Sequence, residues 1–258
     1  MDKQYNSLDE VPKNLRIEHL NLAQYAAQCT TDILDLADPK YNLVGKYVKR
    51  TYDEDDIDYD EYRYLFEGGN IRIIKNIDKL NFKFCTSLDN LIYWFDKLES
   101  IEGINNIDTS NVESLHGTFE HCISLQSLDL SKWDISKVES MCDTFAYCKS
   151  LTTLNIDTWN TSNVKYMIGT FRDCESLEYV NVYNFDMSNV ITIQDMFYDC
   201  KSLKYIDIEN WNTSNITSMY DAFCNCNSLE RINTSKWDKS KDMSKYSLKR
   251  KDKFIYPS

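Results

Sequence analysis

Apolar residues fall into a pattern that returns every 26 residues: Phe119, Cys122, Leu125, Leu128, Leu130, Trp133, Val138 and Met141 recur as Phe145, Cys148, Leu151, Leu154, Ile156, Trp159, Val164 and Met167. The same places are filled by Phe171, Cys174, Leu177, Val180, Val182, Phe185, Val190 and Ile193, then by Phe197, Cys200, Leu203, Ile206, Ile208, Trp211, Ile216 and Met219. A fifth copy opens at Phe223 and keeps Cys226, Leu229, Ile232 and Trp237 before Asp242 breaks it. Upstream, Phe95, Leu98, Ile101, Ile104, Ile107, Val112 and Leu115 read as a unit two residues shorter, and Phe82, Cys85, Ser87, Leu88 and Leu91 as a fragment of one more. A fixed period of about 20 to 29 residues around an L-x-x-L-x-L core predicts an α/β leucine-rich-repeat solenoid in which each copy is one coil.

Two periodicities inside each copy predict how a coil is built. Leu128-Asp129-Leu130 alternates apolar with polar, the mark of a short half-buried strand with Asp129 outward. Val138, Met141, Cys142, Phe145 and Cys148 have the spacing of one face of a helical or 3₁₀ return segment. Ser136 with Glu139, and Ser110 with Glu113, match a capping box at the start of that segment. Ser162, Ser188 and Ser214 keep the cap without the Glu.

A coil stacked on one side only leaves its other apolar face in water, so the ends need covers. Residues 1–70 are assigned that role as a mostly helical N-terminal cap, on the apolar run from Leu15 to Leu36, interrupted by Thr30-Thr31-Asp32 and stopped near Pro39. The array itself occupies 71–240, and 241–258 form a basic tail whose Phe254, Ile255 and Tyr256 either fold back over the last coil or trail free. Only six glycines and three prolines leave no room for long flexible linkers.

The net charge of −12 argues against broad nucleic-acid binding, which draws its affinity from neutralising phosphates. The lysine-rich tail is the exception and is read as a solvated end. The stretch Met1 to Asn14 contains no secretory h-region and no candidate membrane span follows, so an intracellular or virion-associated protein without membrane insertion is expected. Of nine cysteines, five belong to the repeat, where equivalent side chains point parallel and do not converge as a disulfide requires. They are expected to act as small buried hydrophobes.

Catalytic chemistry finds little support. His116 and His121 are five apart, where four would place two metal ligands on one helix face, and the third histidine, His19, lies far off. There is no nucleophile elbow, Gly-rich phosphate loop or H-E-x-x-H. Asp56, Asp58, Asp60 and Glu67 take positions 1, 3, 5 and 12 of an EF-hand-like loop, but Glu61 stands where the turn needs Gly and Arg63 where an apolar residue belongs. The run 53–61 is therefore read as a solvated acidic loop, with no metal and no cofactor expected.

The string Trp-Asn-Thr-Ser-Asn-Val at 159–164, followed by Met167, Phe171 and Cys174-Glu175-Ser176-Leu177, resembles the repeat of BspA-like leucine-rich-repeat surface proteins. The match recurs at Trp133-Asp134-Ile135-Ser136, at Phe185 to Val190 and at Trp211 to Ile216. The resemblance implies a non-enzymatic binding or adhesion scaffold, often displayed on a bacterial surface. Against that pattern, this sequence is expected to lack a signal peptide, a lipid-anchoring cysteine near its start and a membrane segment.

A binding scaffold should vary where it faces outward. The outward positions of the strand side change from small hydroxyls (Ser127, Ser131, Thr153) to Tyr179, Tyr183 and Tyr205, with Asp207, Glu209 and Arg231 beside them. Tyrosine and arginine commonly carry interface energy, so these six are the candidate partner-binding residues for an unidentified protein. The competing expectation is a structural or assembly component that uses the solenoid as a rigid spacer, for which a bland outward face is predicted.

Overall fold

The computed structural model describes residues 6–17, 22–26, 29, 31–42, 46–48, 69–230, 232–234, 237 and 254–255. Its regular elements are few and short: strands β1 (Arg16–Ile17), β2 (Ile33–Asp35), β3 (Tyr47–Val48), β4 (Ile73–Lys75), β5 (Ser100–Ile101), β6 (Ser127–Asp129), β7 (Thr153–Asn155), β8 (Ile232–Asn233) and β9 (Phe254–Ile255), with one α-helix, α1 (Leu22–Ala26). Every pairing is parallel: β1 with β3, β2 with β4 with β5, β6 with β7, and β8 with β9. Leu128 pairs with Leu154 one period on, and both point inward, as the alternating pattern predicts.

The other long edge of the array carries a column of single parallel bridges, Ser87 to Ser114 to Ser140 to Tyr166 to Thr192 to Ser218. Beyond each bridge the backbone alternates between two duties. Leu115, Gly117, Phe119 and His121 donate their N–H groups to Ser140, Cys142, Thr144 and Ala146 of the next unit, all at 2.9 Å. The residues between them close local turns: Thr118 N to Leu115 O at 3.1 Å, Glu120 N to Gly117 O at 3.0 Å and Cys122 N to Phe119 O at 3.2 Å.

This corrects the expected helical return segment. Helical bonds would keep every N–H within its own segment, whereas here half of them leave it. Two left-handed residues per unit also forbid a helix: Asn90, Gly117, Asp143, Gly169, Asp195 and Asp221 form one such column, and Trp94, His121, Tyr147, Asp173, Asp199 and Asn225 the other. A Cβ at Gly117 or Gly169 would collide with the side-chain oxygen of Asn90 or Asp143 from the unit before, so glycine there provides space as well as a positive φ. The expected capping boxes also dissolve. The amide of Ser136 is taken by Asp134 Oδ1 at 2.9 Å, two residues back, and Asn160, Asp186 and Asn212 do the same for Ser162, Ser188 and Ser214.

Inward side chains stack in columns. Phe119, Phe145, Phe171, Phe197 and Phe223 lie ring over ring, with centroids 5.0–5.7 Å apart. Each cysteine beside them donates its S–H to a carbonyl of the preceding unit, Cys148 to Phe119 O and Cys174 to Phe145 O at 3.2 Å, which explains a polarizable donor where an alkyl group would fit. Trp159 and Trp211 send Nε1–H to Leu130 O and Val182 O at 3.2 Å. The asparagines of the Ser-Asn motif form a ladder of their own, Asn163 to Ser136 O, Asn189 to Ser162 O and Asn215 to Ser188 O at 2.6–2.7 Å. The asparagines thus satisfy carbonyls that no turn amide takes, whereas Phe119 O, Phe145 O, Leu130 O and Val182 O already accept a turn amide and take the thiol or indole donor as a second hydrogen bond.

The hydrogen bonds also correct the register of the first units. Cys122 Sγ donates to Ile92 O, and Ile92 N to Thr118 O, so Ile92 fills the phenylalanine place and Phe95 the cysteine place. The offset from Ser87 to Ser114 is then 27 residues, one longer than the standard unit rather than two shorter. Cys85 N bonds to Phe82 O as Val112 N does to Thr109 O, so Cys85 belongs to the valine column. Nearer the N-terminus, the expected helical run is realised as helix only at Leu22–Ala26 among the described residues. Ile33–Asp35 is a strand, because Ile33, Leu34, Asp35 and Leu36 alternate in burial with a period of two. At the other end Phe254 and Ile255 pair with Ile232 and Asn233 rather than trailing free.

Candidate functional site

The outward face near the middle of the array is carried by the stretches 178–183 and 204–209. Val180, Val182, Ile206 and Ile208 anchor them inward, and Lys204 N bonds to Glu178 O at 3.0 Å. Neither stretch is a regular strand; the strand pairing of β6 with β7 stops before them. This arrangement presents Tyr179 and Tyr205 on neighbouring units, 49 % and 54 % exposed, with ring centroids 6.3 Å apart and planes 13° from parallel. Tyr183 is 45 % exposed. Asp207 Oδ1 accepts the amide of Glu209 at 3.3 Å, and Asn181 accepts that of Tyr183 at 3.3 Å, so both hold the chain's turn out of the face. Glu209 is exposed; Arg231 lies outside the described residues.

The tyrosines sit in a negative local field. Partial burial, then the carboxylates of Asp157 and Asp207, raise the Tyr179 phenol above its ordinary value. Tyr205 is raised by slight burial, by Asp207 both as charge and as hydrogen-bond partner, by Tyr179 and by Glu209. The structure thus brings together Tyr179, Tyr205, Asp207 and Glu209 of the expected set.

Sequence reasoning missed a second surface feature on the turn edge. Trp94, His121 and Tyr147 occupy left-handed positions in three successive units, where the later units carry Asp173, Asp199 and Asn225. The His121 ring is sandwiched, 3.8 Å from Trp94 and 4.2 Å from Tyr147, and the Arg172 guanidinium lies 5.7 Å from the Tyr147 ring and 5.3 Å from that of Tyr198. Arg172 is also 3.6 Å from Asp173 Oδ2 and 3.9 Å from Asp195 Oδ2. Reading position 121 down its column, instead of as a lone histidine, is the signal that would have found it. Tyr220 and Ile191, at 56 % and 37 % exposure, are further outward residues that the strand-side reading left out.

Among the described residues no group of three or more His, Cys, Asp or Glu side chains could hold a metal ion. The loop 53–61 lies outside those residues, as does His19. The cysteine column is chemically quiet: burial pushes the Cys148 thiol up to about 12 and raises Cys122, Cys174 and Cys200 well above the ordinary thiol value. A shallow recess of about 260 Å³ lies between β5 and β6, where Gly103 and the 3₁₀ turn Ile104–Asn106 interrupt the strand pairing. Asn105 already binds Asp129 and the Lys132 amide across it. No helix among the described residues is long and apolar enough to cross a membrane.

Parallel-bridged units repeating at a fixed period define a repeat protein. The family model described as "Mycoplasma protein of unknown function, DUF285" matches residues 61–176, 86–205 and 165–254, together about three quarters of the 258 residues, and the chain belongs to that family. No curated protein matches the chain.

Proposed function

We propose that the array is a leucine-rich-repeat solenoid of the BspA-like kind and that it works as a non-enzymatic protein-binding scaffold. In this reading the segment ahead of Ile71, with α1 and β2, covers one end. The outward face at Tyr179, Tyr183 and Tyr205, with Asp207 and Glu209, receives the partner.

The observation that carries the reading is the contrast between positions. Inward columns repeat phenylalanine, cysteine and tryptophan with little change, while the outward column runs Ser127, Thr153, Tyr179, Tyr205. Two half-exposed stacked tyrosines hold large apolar area in water that folding does not require, and such area is what interface hot spots are made of. The test is capture from an extract of the source cells by the wild-type protein and by Tyr179→Ala/Tyr205→Ala. A protein lost from the double variant at unchanged melting temperature is the expected result. Identical capture by both overturns the assignment of the face, and self-association with no captured protein favours the spacer reading.

A further inference from the structure

We propose that the occupant of the tyrosine face is an extended, arginine-bearing segment of a partner protein, running along the array from unit to unit. This rests on the protein-binding reading above and names the chemistry of what is bound.

Spacing is the first argument. Side chains two apart on one face of an extended strand are separated by roughly 6.4–6.8 Å. The Tyr179 and Tyr205 rings are 6.3 Å apart, so an extended segment laid along the array meets one ring with each alternate side chain. Thr153, exposed, stands at the equivalent position one unit before Tyr179, so the tyrosine stack does not extend in that direction.

Charge is the second. Several acidic side chains of the array are neutralised by lysines of neighbouring units: Glu175 lies between Lys149 at 2.9 Å and Lys201 at 2.8 Å, Glu139 is 2.7 Å from Lys165 and Glu178 is 2.7 Å from Lys204. Among the described residues Asp157, Asp207 and Glu209 make no ion pair, and all three lie at this face. Both phenols register that negative field. A cationic segment is the complement of this surface. Arginine fits better than lysine because a planar guanidinium stacks on a ring and forks onto a carboxylate at once, whereas an ammonium supplies only a point charge.

The probe is a fluorescein-labelled nine-residue peptide alternating arginine and threonine, with lysine and glutamate counterparts, titrated by anisotropy at near-physiological salt. Saturable binding is expected for the arginine peptide, several-fold weaker binding for lysine and none for glutamate. Asp157→Asn/Asp207→Asn/Glu209→Gln should weaken the arginine peptide at least tenfold. The asparagine at 207 keeps the acceptor for the Glu209 amide, as Asn181 already does one unit back, so this variant should fold and melt as wild type. A control that removes the same charge elsewhere, Asp38→Asn/Glu113→Gln/Glu139→Gln, should bind within about twofold of wild type.

Equal weakening by both triple variants, or by neither, overturns the proposal. A protein captured from extract that is lost from Tyr179→Ala/Tyr205→Ala but kept by the Asp157/Asp207/Glu209 variant refutes the cationic partner while leaving the binding face standing. Loss of neither peptide nor protein from the tyrosine variant overturns both.

Discussion

The two long edges of the array are held together in different ways. On the turn edge the bridges run without a break from Ser87 to Ser218, and the standard units repeat the same Phe and Cys contacts to their neighbours, with the Ser-Asn contact kept at Asn163, Asn189 and Asn215. On the strand edge the pairing is interrupted twice, between β5 and β6 and again after β7, and the second gap is where the exposed tyrosines stand. The contrast separates two burdens. The turn edge fixes the spacing between units, so its inward Phe and Cys columns hardly vary while its outward positions do; the strand edge is relieved of that duty, and its outward residues differ from unit to unit.

Breaking the shared columns should therefore cost far more than altering the face. Phe171 is fully buried between Phe145 and Phe197, and Phe171→Ala is expected to destabilise by about 3–5 kcal/mol in denaturant unfolding. Tyr205→Ala, on the other edge, should stay within about 0.5 kcal/mol. Comparable losses at the two positions would show that the edges are not distinct.

A smaller effect should come from the cysteine column. Cys174→Val keeps the volume but strips the S–H from the Phe145 carbonyl, which still accepts the Cys148 amide at 3.1 Å, so the loss is about 0.5–1 kcal/mol. The same thiols give a pH signature. A thiol whose folded pKa is raised holds its proton more tightly in the native state, so its contribution is complete below the unfolded value of about 8.5 and drains away as pH rises towards about 12, the Cys148 value. Unfolding midpoints should fall between those limits, and thiol labelling at neutral pH should be slow until the chain is denatured. Rapid native labelling of Cys148 would contradict the buried column.

The smallest effect belongs to the exposed ion pairs. Lys201 and Lys149, by hydrogen bonding and charge, lower the Glu175 carboxyl below its ordinary range. Its contribution is therefore present above about pH 4.3 and lost as pH falls through the lowered value. Glu175→Gln should cost less than about 1 kcal/mol at neutral pH, and added salt should reduce the difference between variant and wild type.

Much of this was legible in the residues. The 26-residue period, the inward columns and the outward tyrosines followed from alternation and spacing alone, and the family match falls on the same stretch. The turn edge was not legible, because apolar residues every three or four positions look alike whether their N–H groups bond within a helix or across to the next unit. Only the left-handed Asp, Asn and Gly positions betray the difference. The first unit was misaligned because Phe95 occupies the cysteine place and Ile92 the phenylalanine place; side-chain identity misled where backbone bonding decides. The His121 sandwich escaped notice because stacking between units depends on which residues share a column, and Trp94 is 27 positions away.

The bonding across units also limits how such a gene can change length. Loss of a single residue inside a standard unit would slide every later N–H past its carbonyl and turn inward side chains outward. Loss of one full 26-residue period, such as 138–163, would rejoin each column to an equivalent partner. Small insertions can accumulate only where the spacing is already relaxed, as between β2 and β4, whose paired residues are 40 apart in place of 26 or 27. Recombination between repeats, adding or removing whole units, is then the route by which relatives of this chain would come to present a shorter or longer row of outward side chains.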